Sequence, residues 1–160
     1  MMLGRDELLT TLRSVTIFAG LNDEHLAALI SECAQLDFAP GEILIREGTP
    51  ASDSYIIIKG RVSVFLEQGG RVVSITEFGP GDCVGEVSVI GILNHTASVK
   101  ALEPTAVLVF AKKLLMDFFH TDPRLFSLVI LNIARELARR LHHTNEILMH
   151  NTDAGRPAQK

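Results

Sequence analysis

The residues whose types and spacing could do chemistry lie in Gly81-Asp-Cys-Val-Gly-Glu-Val-Ser-Val-Ile-Gly91, a stretch between two strand hairpins. Glycine permits a tight backbone there, and Val87–Ile90 is long enough for about one helical turn. Backbone N–H groups that open such a turn have no partner inside it and attract an anion. Glu86 stands at its mouth, where a carboxylate beside an anion is unfavourable unless the ligand also offers hydroxyls for it to accept. A phosphorylated sugar presents both groups. The plainer alternative is that Glu86 caps the turn.

Other chemistries are not signalled. There is no GxxxxGK[ST], GxSxG or HExxH, the spacings that nucleotide phosphates, acyl transfer and zinc peptidases require. Gly79-Pro-Gly81-Asp-Cys-Val-Gly85 has the wrong spacing for a dinucleotide turn and no long helix after it. Histidines 25, 95, 120, 142, 143 and 150 show no HxH pair. Adjacent His142 and His143 point about 100° apart on a helix and cannot share a metal. Cys33 and Cys83, far apart and outside any CxxC, read as two buried thiols. The expectation is a protein that is not an enzyme and carries no cofactor or metal.

The elements that must position this stretch follow from periodicity. Asn22 and Asp23 cap a helix over 22–33 that places Leu26, Leu29, Ile30 and Cys33 on one face, after a shorter helix over 6–14. Apolar runs at 36–39, 43–45, 54–59, 61–67, 71–78, 97–103 and 105–111 are separated by glycine and proline turns, which predicts a β-sandwich or barrel. Ten of the twelve glycines lie between Gly20 and Gly91 and none from Ile92 to Ala154, a turn-rich middle and a helical end, with the period changing after Phe110. Lys112–Thr121 is a short helix, and Asp122-Pro123 starts a longer one reaching about His150. Ile130, Ala134, Leu137, Leu141, Thr144 and Leu148 repeat at coiled-coil spacing on it, whereas Phe126, Val129 and Ile133 form a neighbouring stripe for the strands. A helix of about 26 residues is roughly 39 Å long, more than a small barrel needs, so the excess predicts a homodimer through 123–148. Arg135, Arg139 and Arg140 read as a solvated face. Residues 151–160 read as a flexible tail.

Composition bounds the class. With 160 residues, 47% apolar and 21% charged, the chain is long enough for one globular domain and too apolar for a disordered one. A formal charge of −4 gives no basic field toward nucleic acid or an anionic membrane. The longest apolar run, 106–111, is strand-sized, and the acidic start lacks the apolar core of a signal peptide. A soluble, cytoplasmic protein is expected.

Five segments in order, Phe18-Ala-Gly-Leu21, Pro40-Gly-Glu-Ile-Leu-Ile-Arg-Glu-Gly48, Tyr55-Ile-Ile-Ile-Lys-Gly-Arg-Val-Ser-Val64, Gly79-Pro-Gly-Asp-Cys-Val-Gly-Glu86 and Thr96-Ala-Ser-Val-Lys-Ala101, resemble the bacterial cyclic nucleotide-binding domain family of Crp/Fnr-like sensors over about residues 12–150. The resemblance implies a mainly β fold with flanking helices (α+β). It would be a double-stranded β-helix, a jelly-roll-like β-roll over 35–111, preceded by helices over 1–34 and followed by helices over 112–150 that end in a long C-terminal one. It implies a phosphate-binding cassette over 85–97 and a cAMP or cGMP ligand. Glu86 would take the ribose 2′-hydroxyl, with backbone groups of Gly85, Val87 and Ser88 along sugar and phosphate, and Thr96 and Ala97 at the cassette's end. Ala138-Arg-Arg-Leu-His-His-Thr-Asn-Glu146 resembles the long helix of the catabolite-activator branch, so that Thr144 and Asn145 would reach the base, one of them from the second subunit. The same alignment pairs Arg140 with Glu86.

One position departs from the family pattern. Where the cassette ends in Pro-Arg-[Ala/Thr/Ser]-Ala, this chain reads Asn94-His95-Thr96-Ala97, with His95 replacing the arginine that grips the phosphate. A charge-assisted bond is worth about 1.5–3 kcal/mol, so the exchange weakens binding roughly 10–150-fold. Protonated, His95 can still bind phosphate. Since only about ten residues follow His150, the expectation is a stand-alone regulatory module. It would signal through its C-terminal helix to an unknown effector protein and bind neither DNA nor membrane. The alternative is a degenerate, ligand-independent dimeric scaffold of the same fold.

Overall fold

Short valine and isoleucine runs between glycine turns build eight strands among the described residues, 3–91 and 94–154, of a computed structural model. They are β1 Ala34–Phe38, β2 Ile43–Ile45, β3 Asp53–Lys59, β4 Val62–Gln68, β5 Arg71–Phe78, β6 Cys83–Val84, β7 Ser98–Ala101 and β8 Thr105–Ala111. They pair antiparallel in two four-stranded sheets, ordered β1-β8-β3-β6 and β2-β7-β4-β5. Around this roll lie α1 Arg5–Ser14, a 3-10 turn Thr16–Phe18, α2 Asp23–Glu32, α3 Glu86–Ile90, α4 Lys112–Thr121 and α5 Pro123–Ala154. This is the expected jelly roll with a long C-terminal helix.

Burial on both faces explains why β3 reads as an unbroken apolar run. Ile56 and Ile58 point to a cluster with Leu8, Leu12, Leu26, Leu29, Leu115, Val129 and Ile133 of the helices. Ile57 points the other way, into the roll, with Ile45, Val62, Val84, Val99 and Val107. β8 splits alike, Leu108 and Phe110 toward the helices and Val107 inward. One sheet therefore serves two cores, which fixes its register because a slip of one residue would swap them.

The ends of elements follow side-chain chemistry. Asn22 Oδ1 accepts from the His25 amide at 2.9 Å to open α2, and Asp122 Oδ1 accepts from the Leu125 amide at 3.0 Å ahead of α5. Gly69 and Gly70, at φ 58° and 76°, form the β4–β5 hairpin turn, where both central residues need positive φ. β5 is an edge strand with Val72, Val73 and Ile75 exposed.

Several expected boundaries move. α2 stops at Glu32 and β1 begins at Ala34, so Cys33 ends the helix instead of lying in its face. β7 covers only 98–101 of the expected 97–103, because Ala101 and Ser98 are its last partners on β4. β6, two residues long, was not expected from periodicity; it exists through pairing of Cys83 and Val84 with Ile56 and Tyr55. α5 continues to Ala154, so it is 32 residues and about 48 Å long. Cassette residues 92 and 93 and tail residues 155–160 lie outside the described ones. No helix among the described residues is long and apolar enough to cross a membrane.

Candidate functional site

The turn after β6 is set by Gly85, which caps α3 at φ 83°. A Cβ there would stand 3.1 Å from both the Asp53 carbonyl oxygen and Ile45 Cδ1, so the backbone passes close to β2 and β3 only as glycine. That turn delivers Glu86 to the interior, where it is 2% exposed. A buried carboxylate needs a partner, and α5 supplies it. Arg140 Nη1 donates to Glu86 Oε1 at 2.5 Å, Nε to Glu136 Oε1 at 2.7 Å and Nη2 to the Cys83 carbonyl at 2.9 Å. Its guanidinium also lies 4.5 Å from the Phe78 ring centroid, a stacking geometry that suits arginine.

Glu136 anchors the arrangement from below. It is 5% exposed and also accepts from Arg139 at 2.6 and 3.1 Å and from Thr16 Oγ1 at 3.3 Å. The pair Glu136 and Arg140 therefore departs from the solvated face expected for this arginine cluster: both lie on the stripe of α5 that turns to its own domain. Burial pushes the Glu86 carboxyl above the ordinary carboxylate value, and Arg140 opposite offsets only part of that. Burial also pushes Glu136 upward, but hydrogen bonds from Arg139 and Arg140 outweigh it and leave that carboxyl below its ordinary value.

These groups wall a cavity of about 610 Å³, a size typical of small-molecule pockets. Ile45, Val64, Val84 and Val99 of the roll form an apolar floor, Ile75 to Phe78 of β5 one side, and Arg139, Arg140, His143, Thr144, Ile147 and Leu148 of α5 the other. Of the residues expected from the sequence, Gly85, Glu86, Val87, His95, Thr96, Ala97 and Thr144 line this space together. Ser88 lies within α3. Asn145 is exposed on α5 and does not line the cavity of its own chain. Arg139, His143, Ile147, Phe78 and Asp82 were not foreseen; the 3.6-residue stripe Leu125, Val129, Ile133, Glu136, Arg140, Ile147 was the signal that could have found the α5 wall.

His95 is held by its backbone, its amide donating to the Thr49 carbonyl at 3.0 Å and its carbonyl accepting from Gly48 at 2.8 Å. Burial holds its imidazole below the ordinary value, with Asp53 pulling the other way. The thiols stay out of the chemistry: Cys83 is buried, and burial pushes half-buried Cys33 up to about 12.

A jelly roll with a cavity between a short helix and a long C-terminal helix is an architecture suited to holding a small ligand. A profile of the cyclic nucleotide-binding domain matches residues 35–122, and the chain belongs to that family. It is 30% identical over 133 residues to a CRP-like cAMP-activated global transcriptional regulator of Mycobacterium tuberculosis, a match covering 82% of this chain and 58% of that one. The chain thus spans little more than half the length of that relative. Among solved structures, Thermus thermophilus catabolite activator protein superposes with a TM-score of 0.74 at 26% identity, covering 86% of this chain and 63% of that one. A cyclic nucleotide-binding domain from Methylobacillus flagellatus KT superposes with a TM-score of 0.81 at 22% identity, covering 91% and 83%, a likeness of fold.

Proposed function

We propose that the cavity binds cAMP or cGMP and that occupancy is passed through Arg140 to α5, which dimerises and acts on an effector protein. The observation that carries this is the Glu86–Arg140 contact: a buried carboxylate that lines the cavity is tied to the C-terminal helix. A carboxylate has about four acceptor sites, so Glu86 can accept a ribose hydroxyl beside the Arg140 bond. The apolar floor and Phe78 suit a purine, and Thr144 offers a hydroxyl to its edge. Phosphate would meet His95, Thr96 and Ala97 at the other end. Asn145 faces away from its own cavity, so its reach toward a base requires the second subunit.

Ligand binding can shift α5 only by favouring one of its packings over another, and a bond to Glu86 that competes with Arg140 supplies such a difference. The same fold without an arginine at position 95 also supports a second reading, a ligand-independent scaffold.

The two readings part on pH. Burial shifts His95 toward its neutral form, against the pull of Asp53, whereas an anionic phosphate favours its protonated form. Affinity for cyclic AMP in calorimetry therefore rises as pH falls from 8 through the His95 pKa, which lies below the ordinary value of about 6.5. His95→Gln flattens the profile, and Glu86→Gln lowers affinity at every pH. A wild-type affinity that stays level from about pH 8 to 5.5 removes His95 from the site.

A further inference from the structure

The face of α5 that meets its own domain buries Leu125, Val129 and Ile133, with Ile130 and Leu137 half-buried beside them. One polar row crosses this apolar face. Asn132, Glu136 and Arg140 follow each other at i, i+4 and i+8, about 12 Å along the helix. Asn132 is buried and donates to the Ile17 and Ala19 carbonyls at 3.3 and 2.8 Å, which holds the 3-10 turn against α5. Thr16 of that turn, together with Arg139, gives Glu136 three donors and a cation. A buried carboxylate needs such compensation, and Glu136 has it without Arg140. It nevertheless also accepts Arg140 Nε at 2.7 Å.

That additional bond acts on Arg140. A guanidinium grips a carboxylate through two parallel N–H bonds where it can, as Arg139 grips Glu136 through Nε and Nη2. Arg140 does not grip Glu86 in this way. Its Nε is taken by Glu136 and its Nη2 by the Cys83 carbonyl, which leaves Nη1 alone for Glu86, on Oε1. We infer that Glu136 is a positioning residue of the ligand site: by holding Nε it limits Arg140 to one bond on Glu86 and keeps the rest of that carboxylate for a hydroxyl of the ligand. This role rests on the ribose contact proposed above and adds the residue that sets its strength. Without an acceptor at position 136 the guanidinium closes on both oxygens of Glu86, and a hydroxyl then has to displace a charge-assisted bond in order to bind.

The test is titration calorimetry of the full chain with cyclic AMP and cyclic GMP. It compares wild type with Glu136→Met, which removes the acceptor at similar size, and with Glu136→Gln, which keeps a neutral one. Glu136→Met raises Kd roughly 10-fold, the low end for a charge-assisted bond, at unchanged stoichiometry, and Glu136→Gln recovers most of that loss. A residue that merely tied α5 to the turn would lower Tm and the fraction competent to bind, but not the Kd of the folded protein. The second arm repeats Glu136→Met in an Arg140→Lys background, where a single ammonium cannot form the fork; there the substitution adds no further loss. Wild-type Kd in Glu136→Met overturns the positioning role and leaves nucleotide binding standing. The role falls equally if Glu136→Gln binds as weakly as Glu136→Met, or if the loss persists in full beside Arg140→Lys, since charge or packing then explains it. If wild type binds neither nucleotide, the ribose contact falls and the role of Glu136 with it.

Discussion

Replacing His95 with arginine tightens cyclic nucleotide binding by roughly 10–150-fold, the effect of regaining a charge-assisted bond of about 1.5–3 kcal/mol. The site has room for it: His95 is half-buried at the wall of a 610 Å³ cavity, and its backbone is fixed by the 48–49 turn through bonds that do not involve the side chain. Arginine is always charged and presents a planar fork that matches phosphate, so the pH dependence predicted for wild type disappears with the gain. Titration calorimetry of His95→Arg with cyclic AMP and cyclic GMP checks this. Unchanged affinity, with the new guanidinium drawn to Asp53 instead, would mean that the phosphate does not lie at position 95.

Arg140→Ala produces the largest loss of stability. It strips the cation from the buried Glu86, removes one of the two arginines on the buried Glu136, which keeps Arg139, and takes a donor from the Cys83 carbonyl. Removing one partner of a buried ion pair costs about 3–5 kcal/mol, which for a domain of this size lowers Tm by roughly 6–20 °C. Two further measurements separate charge from packing. Since burial already holds the Glu86 carboxyl above its ordinary value, loss of Arg140 raises it further; Glu86 then takes a proton as pH falls from 7 toward 4, and the deficit of the variant shrinks. Adding Glu86→Gln to Arg140→Ala recovers part of the loss at neutral pH, because a neutral amide replaces an uncompensated charge; the double-mutant cycle gives the coupling. An Arg140→Ala deficit that is small and constant with pH would show that Glu86 is held by other means.

How much of this was legible in the sequence depended on whether a residue's role is local. Strand runs, the Gly69-Gly70 turn and the Asn22 and Asp122 caps are set by neighbours in the chain, and the structure has them. β6 is not local: two residues form a strand only because β3 lies beside them. Glu86 was legible as an oddity, an acid at the start of a tight turn, and its pairing with Arg140 through the family resemblance. The place of Glu136 was not, because three arginines nearby read as a wet surface until α5 is laid on the roll. The coiled-coil stripe illustrates the same limit. Periodicity identified α5 as two-faced, but Ile130 and Leu137 could be assigned to the domain or to a partner only once their packing on the core was known.

The most direct test of the central claim is a thermal melt of the wild-type protein with cyclic AMP, with cyclic GMP and without ligand. A ligand at about 100 times its Kd adds about 2.7 kcal/mol to the folded state, a rise of roughly 5–11 °C for a domain of this size. The expected result is a rise with at least one of the two nucleotides, smaller in Glu86→Gln at the same ligand concentration. If neither moves the melt at millimolar concentration, the cavity is not a cyclic nucleotide site and the domain acts as a scaffold.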